Sequence, residues 1–293
     1  MSIVIDLSGK VALVTGGVRG VGAGIARSLL EAGAEVLTCA RHEPEQLPSA
    51  AGRTAHFHHC DVHEVEAAQQ LVAGVAAEFG RLDLLVNNAG GAPYADAATA
   101  SPRFHSRVMD LNLLAPLVLS QTANAIMQRQ PDGGGIIMIS SLSSLRPSPN
   151  TAAYGAAKAG LNSLAGTLAV EWAPRVRVNS LALGMVMTEM ATLNYGGEAG
   201  LAKVAATVPL GRLAGPEDIG AMCVFLASPL AGYVSGAVIP IHGGGEEPAY
   251  KTALAALDGR SVPPPARHPA QYPDQQPDQA ADQAAADPAA TPS

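Results

Sequence analysis

The feature that most restricts the fold is a regular alternation between short apolar runs and longer stretches with apolar residues every three or four positions. The short runs are typical of strands and the longer stretches of amphipathic helices. Because the strands are apolar at successive positions, both faces of their sheet must be covered. A repeated strand–helix–strand order then predicts an α/β fold with a parallel, doubly wound sheet. The predicted strands are KVALVTG, AEVLTCA, TAHFHHC, LDLLVNNAG, GGIIMISS, RVRVNSLALG and GAVIPIHGG.

The chain is expected to form one domain followed by a tail. It has 293 residues, of which 48% are hydrophobic, enough for one large core. We place the domain at residues 1–258. Residues 259–293 consist largely of Pro, Ala, Gln and Asp, and cannot bury enough apolar surface to offset their ordering entropy. This tail is predicted to be disordered, either as a solvated appendage or as a partner-binding segment.

Composition argues against several classes of function. Charged residues make up 15% of the chain and the net charge is -7, without the clustered Lys and Arg of a nucleic-acid-binding protein. No apolar run approaches the roughly 18 residues of a membrane helix. The first residues lack the basic region of a secretory signal. The three widely spaced cysteines suit free thiols in a reducing compartment, so we expect a cytoplasmic protein.

A histidine-rich stretch invites a metal-site interpretation. It contains His56, His58, His59, Cys60 and His63. On a strand, however, neighbouring side chains point to opposite faces, so these ligands would not converge on one ion. No metal site is therefore predicted.

The segment between the first strand and the first helix has the composition of a nucleotide-binding loop. Gly16, Gly20 and Gly22 follow the pattern T-G-x-x-x-G-x-G. Glycine permits positive φ and close backbone approach, and a helix start directs unpaired N–H groups at an anion. The alternative is a tight turn that packs the helix against the strand. The position after the first strand of a βαβ unit favours a dinucleotide, whose pyrophosphate would contact Gly16, Gly20, Val21 and Gly22.

The end of the second strand indicates which dinucleotide is preferred. An acid there would bond both ribose hydroxyls of NAD. This chain instead has Ala40 followed by Arg41, and Arg19 adds a second guanidinium from the glycine loop. Two guanidiniums suit a phosphomonoester, so NADP(H) is predicted, with NAD(H) as the second choice. The alternative is that Arg41 is a solvated loop charge.

The third strand ends on a candidate adenine site. Asp61 would accept a hydrogen bond from the adenine amine, and Val62 would offer its backbone. Asp61 also has Glu64 three residues later, which matches a capping box at the start of the next helix. One residue can serve both purposes.

The fourth strand ends on small residues. Asn88, Ala89 and Gly90 would let the cofactor pass over the carboxyl ends of the strands, where sheets of this kind bind ligands.

Tyr154 and Lys158 are the strongest catalytic candidates. Their four-residue spacing puts both on one face of a helix. A free tyrosine titrates at about 10, and a neighbouring ammonium or a cationic nicotinamide should lower the pKa, making Tyr154 an acid or base near neutral pH. The alternative is an exposed helical pair. Ser141, at the end of a strand, would either hold a substrate carbonyl oxygen or cap the following segment.

Taken together, these motifs resemble the short-chain dehydrogenase/reductase family. The resemblance covers residues 7 to about 245, and its motifs are specific as a set although each is weak alone. The matching motifs are Thr15-Gly16-x-x-x-Gly20-x-Gly22, Asn87-Asn88-Ala89-Gly90, Asn112 in MDLNLLAP, Ser141, Tyr154-x-x-x-Lys158 and VNSLALGMVMT.

The resemblance implies a Rossmann-type fold with a seven-stranded sheet in three α/β/α layers. It implies NAD(P)-dependent interconversion of a secondary alcohol and a ketone, with Tyr154 as the acid/base. Ser141 would orient the carbonyl, Lys158 would bind the nicotinamide ribose and lower the pKa of Tyr154, and Asn112 would hold a water in the proton relay. It also implies a homodimer or homotetramer built on the helix from Tyr154 to Trp172.

Two positions depart from the family pattern. Leu183-Gly184 stands where Pro-Gly is usual; leucine keeps apolar contact with the nicotinamide but frees φ and adds an N–H, so activity should survive with nicotinamide placement in question. Val186 and Thr188 remain where the family contacts the carboxamide and the pyrophosphate. His242 replaces the Asp of the usual D-G-G, which should affect the last strand or subunit contacts more than chemistry.

Residues 185–208 are predicted to form a mobile lid over the site. Their side chains suggest an apolar substrate surface, or ordinary packing, through Met185, Met187, Met190, Leu193 and Tyr195. The substrate is a small carbonyl or alcohol compound: β-keto acyl thioesters, steroids, sugars, polyols and xenobiotic ketones stay open. Two other functions are weighed: a cofactor-binding regulator or scaffold without turnover, and an epimerase or dehydratase with tightly bound NAD.

Overall fold

Seven parallel strands form the central sheet, and their order in space differs from their order in the chain. The computed structural model describes residues 4–189, 191–246 and 250. The described residues contain nine strands: β1 (Val11–Thr15), β2 (Glu35–Ala40), β3 (Ser49–Ala50), β4 (Arg53–Thr54), β5 (His56–His59), β6 (Leu84–Asn87), β7 (Gly134–Ser141), β8 (Val176–Leu183) and β9 (Val238–Ile241). All except β3 and β4 belong to the central sheet. The sheet order is β5-β2-β1-β6-β7-β8-β9, and every neighbouring pair is parallel.

Helices cover both faces of this sheet. They are α1 (Gly20–Glu31), α2 (Val65–Phe79), α3 (Pro102–Met109), α4 (Ala115–Met127), α5 (Ala152–Glu171), α6 (Ala191–Asn194), α7 (Gly197–Ala205) and α8 (Pro216–Ala227). A π-helical turn (Asp110–Leu114) joins α3 to α4, and a 3₁₀ turn (Leu142–Ser144) follows β7.

Successive residues of one strand enter two separate apolar cores. From β1, Val11 and Leu13 pack in the core that includes α2, α4 and α5, whereas Ala12 and Val14 pack in the core that includes α1 and α8. This explains why the strand is apolar at every position. The predicted three-layer, doubly wound parallel sheet is confirmed.

The chain reverses direction across the sheet at β1. From β1 it runs outward through β2 to β5, then returns to β6 on the other side of β1. A crevice forms outside the carboxyl ends of the strands at such a switch point. The glycine loop after β1 and the Asn88–Gly91 loop after β6 both lie there.

Two local features differ from the sequence prediction. A small antiparallel hairpin of β3 and β4 turns through Ala51 (φ 50°) and Gly52 (φ 73°), and was not predicted because each strand has only two residues. The predicted capping box of Asp61 and Glu64 is wrong: α2 begins at Val65 and Glu64 is its N-cap. The Asp61 carboxylate instead accepts the His63 N–H within a local turn.

The predicted tail, residues 259–293, lies outside the described residues, as do 251–258 of the predicted domain. Among the helices that are described, none is long and apolar enough to cross a bilayer.

Candidate active site

The glycine loop has a backbone that larger residues would disturb. Gly16 and Gly20 have positive φ values of 62° and 51°, a region that L side chains rarely adopt. A Cβ on Gly22 would overlap the Gly16 carbonyl oxygen. The predicted glycines are therefore required by the loop's conformation, and they bring the start of α1 directly onto the end of β1.

Thr15, the last residue of β1, joins the two loops of the crevice. Its buried Oγ1 accepts the backbone N–H groups of Asn88 and Ala89, each at 3.0 Å. Asn88 Nδ2 in turn donates to the carbonyls of Thr15 (2.8 Å) and Gly16 (3.1 Å). The sequence motif contains Thr15 but does not by itself assign it this role. Its signal was a hydroxyl residue ending an otherwise apolar strand.

The two predicted phosphate-binding arginines are exposed. Arg19 lies in the glycine loop and Arg41 directly after β2. Within the described part of the chain, neither forms an ion pair with a carboxylate. Both are therefore available to an anion from solution.

Asp61 lies near Arg41 at the same end of the crevice. Burial alone would raise the pKa of the Asp61 carboxyl, but hydrogen bonds from His63 and the charges of His63 and Arg41 outweigh it, so the pKa lies below its usual value. His63 Nδ1 is 2.9 Å from Asp61 Oδ1. The Val62 side chain is buried in the core, so a ligand in the crevice would contact Val62 through its backbone.

A carboxylate already lies at the start of α1. The Gly20 N–H donates to Glu189 Oε1 at 3.2 Å, and this bond spans 169 positions of sequence. The first turn of α1 contains no acidic residue and Arg19 does not cap it. The helix start therefore takes an anion from elsewhere in the fold, as a site for a pyrophosphate would. With the glycine loop and the two arginines, the residues present fit a dinucleotide.

A buried cluster forms around Lys158. This side chain is only 3% exposed, and its Nζ donates to the Ile139 carbonyl at 2.8 Å and lies 5.6 Å from the centre of the Tyr154 ring. A Cβ on Gly90 would lie 2.8 Å from Asn112 Oδ1 and 3.2 Å from Lys158 Nζ. Glycine at this position thus lets Asn112 and Lys158 approach each other.

Asn112 belongs to the π-helical turn between α3 and α4. Its Oδ1 accepts the Gly91 N–H at 2.9 Å, and its Nδ2 donates to the carbonyls of Gly91 (3.0 Å) and Val108 (2.9 Å). Such π-helical turns frequently occur at functional sites. The Asn112 amide therefore holds the loop after β6 against the helix.

Ser141 fits both interpretations that its position suggested. Its Oγ caps the 3₁₀ turn by accepting the Ser143 N–H at 3.2 Å, and it lies close enough to the Tyr154 phenol to lower the pKa of that group. β7 positions Ser141, and α5 positions Tyr154 and Lys158 one turn apart. The structure therefore brings Asn112, Ser141, Tyr154 and Lys158 together at the carboxyl edge of the sheet.

The predicted direction of the Tyr154 pKa is wrong for this structure. Burial raises the pKa of Tyr154, and the hydrogen bond with Ser141 only partly opposes it. The Lys158 ammonium lies over the ring and donates to a backbone carbonyl, so it does not point at the phenol oxygen. Burial also lowers the pKa of Lys158 to about 8.

The segment after β8 approaches the crevice. Leu183 is buried in the core with α1 and α8, and a Cβ on Gly184 would lie 2.8 Å from the His242 Cβ. Val186 forms a β-bridge with Ala214. Thr188 lies beside the glycine loop, since its methyl group would be 3.4 Å from a Cβ on Gly20.

The predicted lid contains the two short helices α6 and α7. Met185 lines a cavity of about 400 Å³ with Met222 and Phe225 of α8 and Ile241 of β9, and the described residues that line this cavity do not include Ser141, Tyr154 or Lys158. Tyr195 is half-buried. Met190 and the side chain of Leu193 lie outside the described residues.

The histidines of the β5 region lie beside different acids. His56 is 3.6 Å from Glu35 and His58 is 3.3 Å from Glu78. In the described ranges no three His, Cys, Asp or Glu side chains are grouped so that they could hold a metal ion.

Comparison with known proteins agrees with this geometry. A family model described as Enoyl-(Acyl carrier protein) reductase matches residues 16–246. The 3alpha-hydroxysteroid dehydrogenase of Mediterraneibacter gnavus is 37% identical over 249 residues, covering 81% of this chain and 97% of that protein. The 2-dehydro-3-deoxy-D-gluconate 5-dehydrogenase of Pseudoalteromonas atlantica is 35% identical over 247 residues, covering 82% and 96%.

Solved structures share the architecture. The Pseudomonas aeruginosa RhlG/NADP active-site complex has 31% sequence identity and a TM-score of 0.74, over 83% of this chain and 99% of that one. The sheet order, the crevice at β1 and the family match agree with one another. The chain therefore belongs to the short-chain dehydrogenase/reductase family of NAD(P)-dependent oxidoreductases acting on CH–OH groups.

Proposed function

We propose that this protein interconverts a secondary alcohol and a ketone, with NADP(H) as preferred cofactor and Tyr154 as the acid/base. One observation carries the proposal: Tyr154 lies within interaction range of Ser141, with the ammonium of buried Lys158 5.6 Å from the centre of its ring, at the same edge of the sheet as the glycine loop. A regulator without turnover has no need of this cluster, and no comparison supports one.

In the direction of reduction, the Tyr154 hydroxyl donates its proton to the substrate oxygen. Ser141 holds that oxygen in place, so that negative charge developing on it is stabilised. When bound, the cofactor supplies the hydride to the carbon that bears the oxygen. In oxidation, Tyr154 removes the hydroxyl proton instead.

Lys158 and Asn112 support Tyr154. With a pKa of about 8, Lys158 is mostly protonated at neutral pH, so its ammonium can bind the nicotinamide ribose. From its place over the Tyr154 ring it would favour a phenolate through its charge, without a hydrogen bond to the phenol oxygen. Asn112 would hold the relay water. Because its side chain is engaged with Gly91 and Val108, that water would be held by the Asn112 backbone carbonyl.

The remaining assignments concern the cofactor. Gly16, Gly20, Val21, Gly22 and Thr188 would contact the pyrophosphate. Asp61 and Val62 would hold the adenine, Asn88, Ala89 and Gly90 would line its path, and Gly184 and Val186 would contact the nicotinamide. The exposed Arg19 and Arg41 would bind the 2'-phosphate.

We further propose an apolar substrate and a homodimer or homotetramer. Tyr94, which lies within electrostatic range of Tyr154 and Tyr195, is 78% exposed and would contact a substrate at the mouth of the site. On α5, Val170 is 81% exposed, which suits a face that another subunit covers. The three free, buried cysteines suit a reducing compartment such as the cytoplasm.

The function is tested by following nicotinamide absorbance with NADPH and NADH over a substrate panel. A steroid ketone, a β-keto acyl thioester, an aromatic ketone, a sugar acid and a polyol cover the substrate classes. We expect turnover of a ketone with NADPH ahead of NADH. Cofactor binding without oxidation across the panel would favour the regulator, and sedimentation of the same sample reports the oligomeric state.

Glu189 competes with the cofactor in this scheme, because its carboxylate must leave the Gly20 N–H before a pyrophosphate can bind. We expect Glu189→Gln to tighten NADPH binding about two- to fivefold, the range of one charge at a helix start. Isothermal titration of NADPH measures this. Glu198→Gln, an exposed charge on α7, is the matched control and should change nothing; weaker binding by Glu189→Gln would contradict the competition.

A further inference from the structure

A chain of hydrogen bonds runs behind the catalytic helix. Asn162 lies on α5 one turn beyond Lys158 and two turns beyond Tyr154, so the three residues share a face. Its Oδ1 accepts from Ser180 Oγ on β8 at 2.7 Å, and its Nδ2 donates to Ser144 Oγ at 2.8 Å. Asn162 therefore connects β8 with the 3₁₀ turn that follows β7.

Ser144 carries this connection to the catalytic serine. Its hydroxyl donates to the Ser141 carbonyl in a short hydrogen bond. Since a hydroxyl has one proton to give, Ser144 Oγ can only accept from Asn162. The link therefore requires a donor at position 162. The amide of asparagine provides it, together with the acceptor for Ser180.

The Ser141 backbone carbonyl is thereby held by Ser144 and Asn162, while the Ser141 side chain is left to act in the active site. Ser141 Oγ accepts the Ser143 N–H and lies within interaction range of the Tyr154 phenol. Ser140 adds a second tie, because its Oγ lies 3.2 Å from the Lys158 carbonyl and 3.3 Å from Ser144 Oγ and can donate its one proton to either. The turn, the serine and the catalytic helix are thus joined by polar bonds in a half-buried region.

We propose that Asn162 is a positioning residue: through Ser144 it fixes the Ser141 carbonyl, and so the direction in which the Ser141 hydroxyl meets Tyr154. This role rests on the proposed function for the parts played by Ser141 and Tyr154. Loss of the link should let the turn shift, lengthen the contact between Ser141 and Tyr154, and misplace the substrate oxygen.

The consequence for Tyr154 has a definite sign. Ser141 and Tyr94 act on the phenol of Tyr154, and the Lys158 ammonium lies over its ring. Ser141 lowers the pKa of Tyr154, whereas burial and Tyr94 raise it. A weaker contact with Ser141 therefore raises the pKa, and alcohol oxidation, which needs the phenolate, should reach half of its maximal rate at a higher pH.

The test uses Asn162→Leu, which removes both hydrogen bonds at similar volume. We expect kcat to fall about tenfold through misplacement of the reacting groups, with NADPH affinity almost unchanged and the pH profile of oxidation moved to higher pH. Asn124→Leu on α4 is the matched control: Asn124 has similar burial and hydrogen-bonds with Gln128 on its own helix. It should leave kcat and the pH profile unchanged.

Ser144→Ala breaks the same link one bond later, so it keeps the proposal testable if Asn162→Leu does not fold. The double variant should be no slower than the slower single variant, because both act through one path. An unchanged kcat and pH profile in Asn162→Leu or Ser144→Ala would overturn the proposal. So would a slower enzyme with an unmoved pH profile, which indicates a purely structural role.

A second readout separates this proposal from the proposed function. The phenol of Tyr154 is titrated by ultraviolet absorbance, as the difference between each protein and its Tyr154→Phe counterpart. A higher pKa in Asn162→Leu supports the positioning role even if the wild-type protein reduces nothing in the substrate panel. An unchanged pKa overturns it even if the panel identifies a substrate.

Discussion

Tyr154→Phe is expected to lower turnover about 10²- to 10⁴-fold, the usual contribution of a general acid or base, and to leave NADPH binding almost intact. The phenol oxygen is the one group lost, and it is the group that would exchange a proton with the substrate. The ring remains to pack beneath Lys158. Steady-state kinetics with the best ketone of the panel, and titration with NADPH, measure the two effects.

Tyr233→Phe provides the control for this experiment. Tyr233 is fully exposed beyond α8, so loss of its hydroxyl should change neither quantity. Thermal unfolding should show a small change for Tyr154→Phe, because the Ser141 hydroxyl keeps the Ser143 N–H as a partner. If Tyr154→Phe were as active as the wild-type protein, Tyr154 would not be the acid/base and the proposed mechanism would be wrong.

Arg41→Asp should have the second-largest effect, reversing the cofactor preference. NADPH should bind about 10- to 100-fold more weakly, which corresponds to one charge-assisted hydrogen bond to a phosphate. An acid at this position can bond the ribose hydroxyls of NAD, so NADH affinity should hold or improve. Titration of both cofactors into both proteins gives the ratio directly.

The control for Arg41→Asp is Arg129→Asp, which makes the same charge change after α4, at the opposite edge of the sheet. Arg129→Asp should leave the ratio of NADPH affinity to NADH affinity as in the wild-type protein. If Arg41→Asp does not weaken NADPH, the exposed arginine is a solvated charge and the cofactor assignment returns to NAD(P) without a preference. Arg19→Ala in the Arg41→Asp background would then show whether the second guanidinium acts alone.

Much of the fold and of the candidate site follows from local sequence. The strand that includes Leu13 is apolar at every position, and a strand in a sheet covered on both faces requires this composition. The glycines at positions 16 and 20 indicate a backbone with positive φ, because other residues rarely adopt positive φ values. The spacing of Tyr154 and Lys158 places them together on any helix. These features depend on periodicity or on the backbone, and both act over a few residues.

Other features depend on which distant segments meet, and only the tertiary structure decided them. Glu189 reaches the Gly20 N–H across 169 positions. Met185 lines a cavity with residues of α8 and β9 that are far from it in sequence. The pKa of Tyr154 is raised because packing around α5 removes water, an effect that no spacing encodes. Burial and long-range contacts depend on how all segments of the chain pack together, so only the tertiary structure decides them. The sequence by itself determined the local helices and strands and the types of residue available for those contacts.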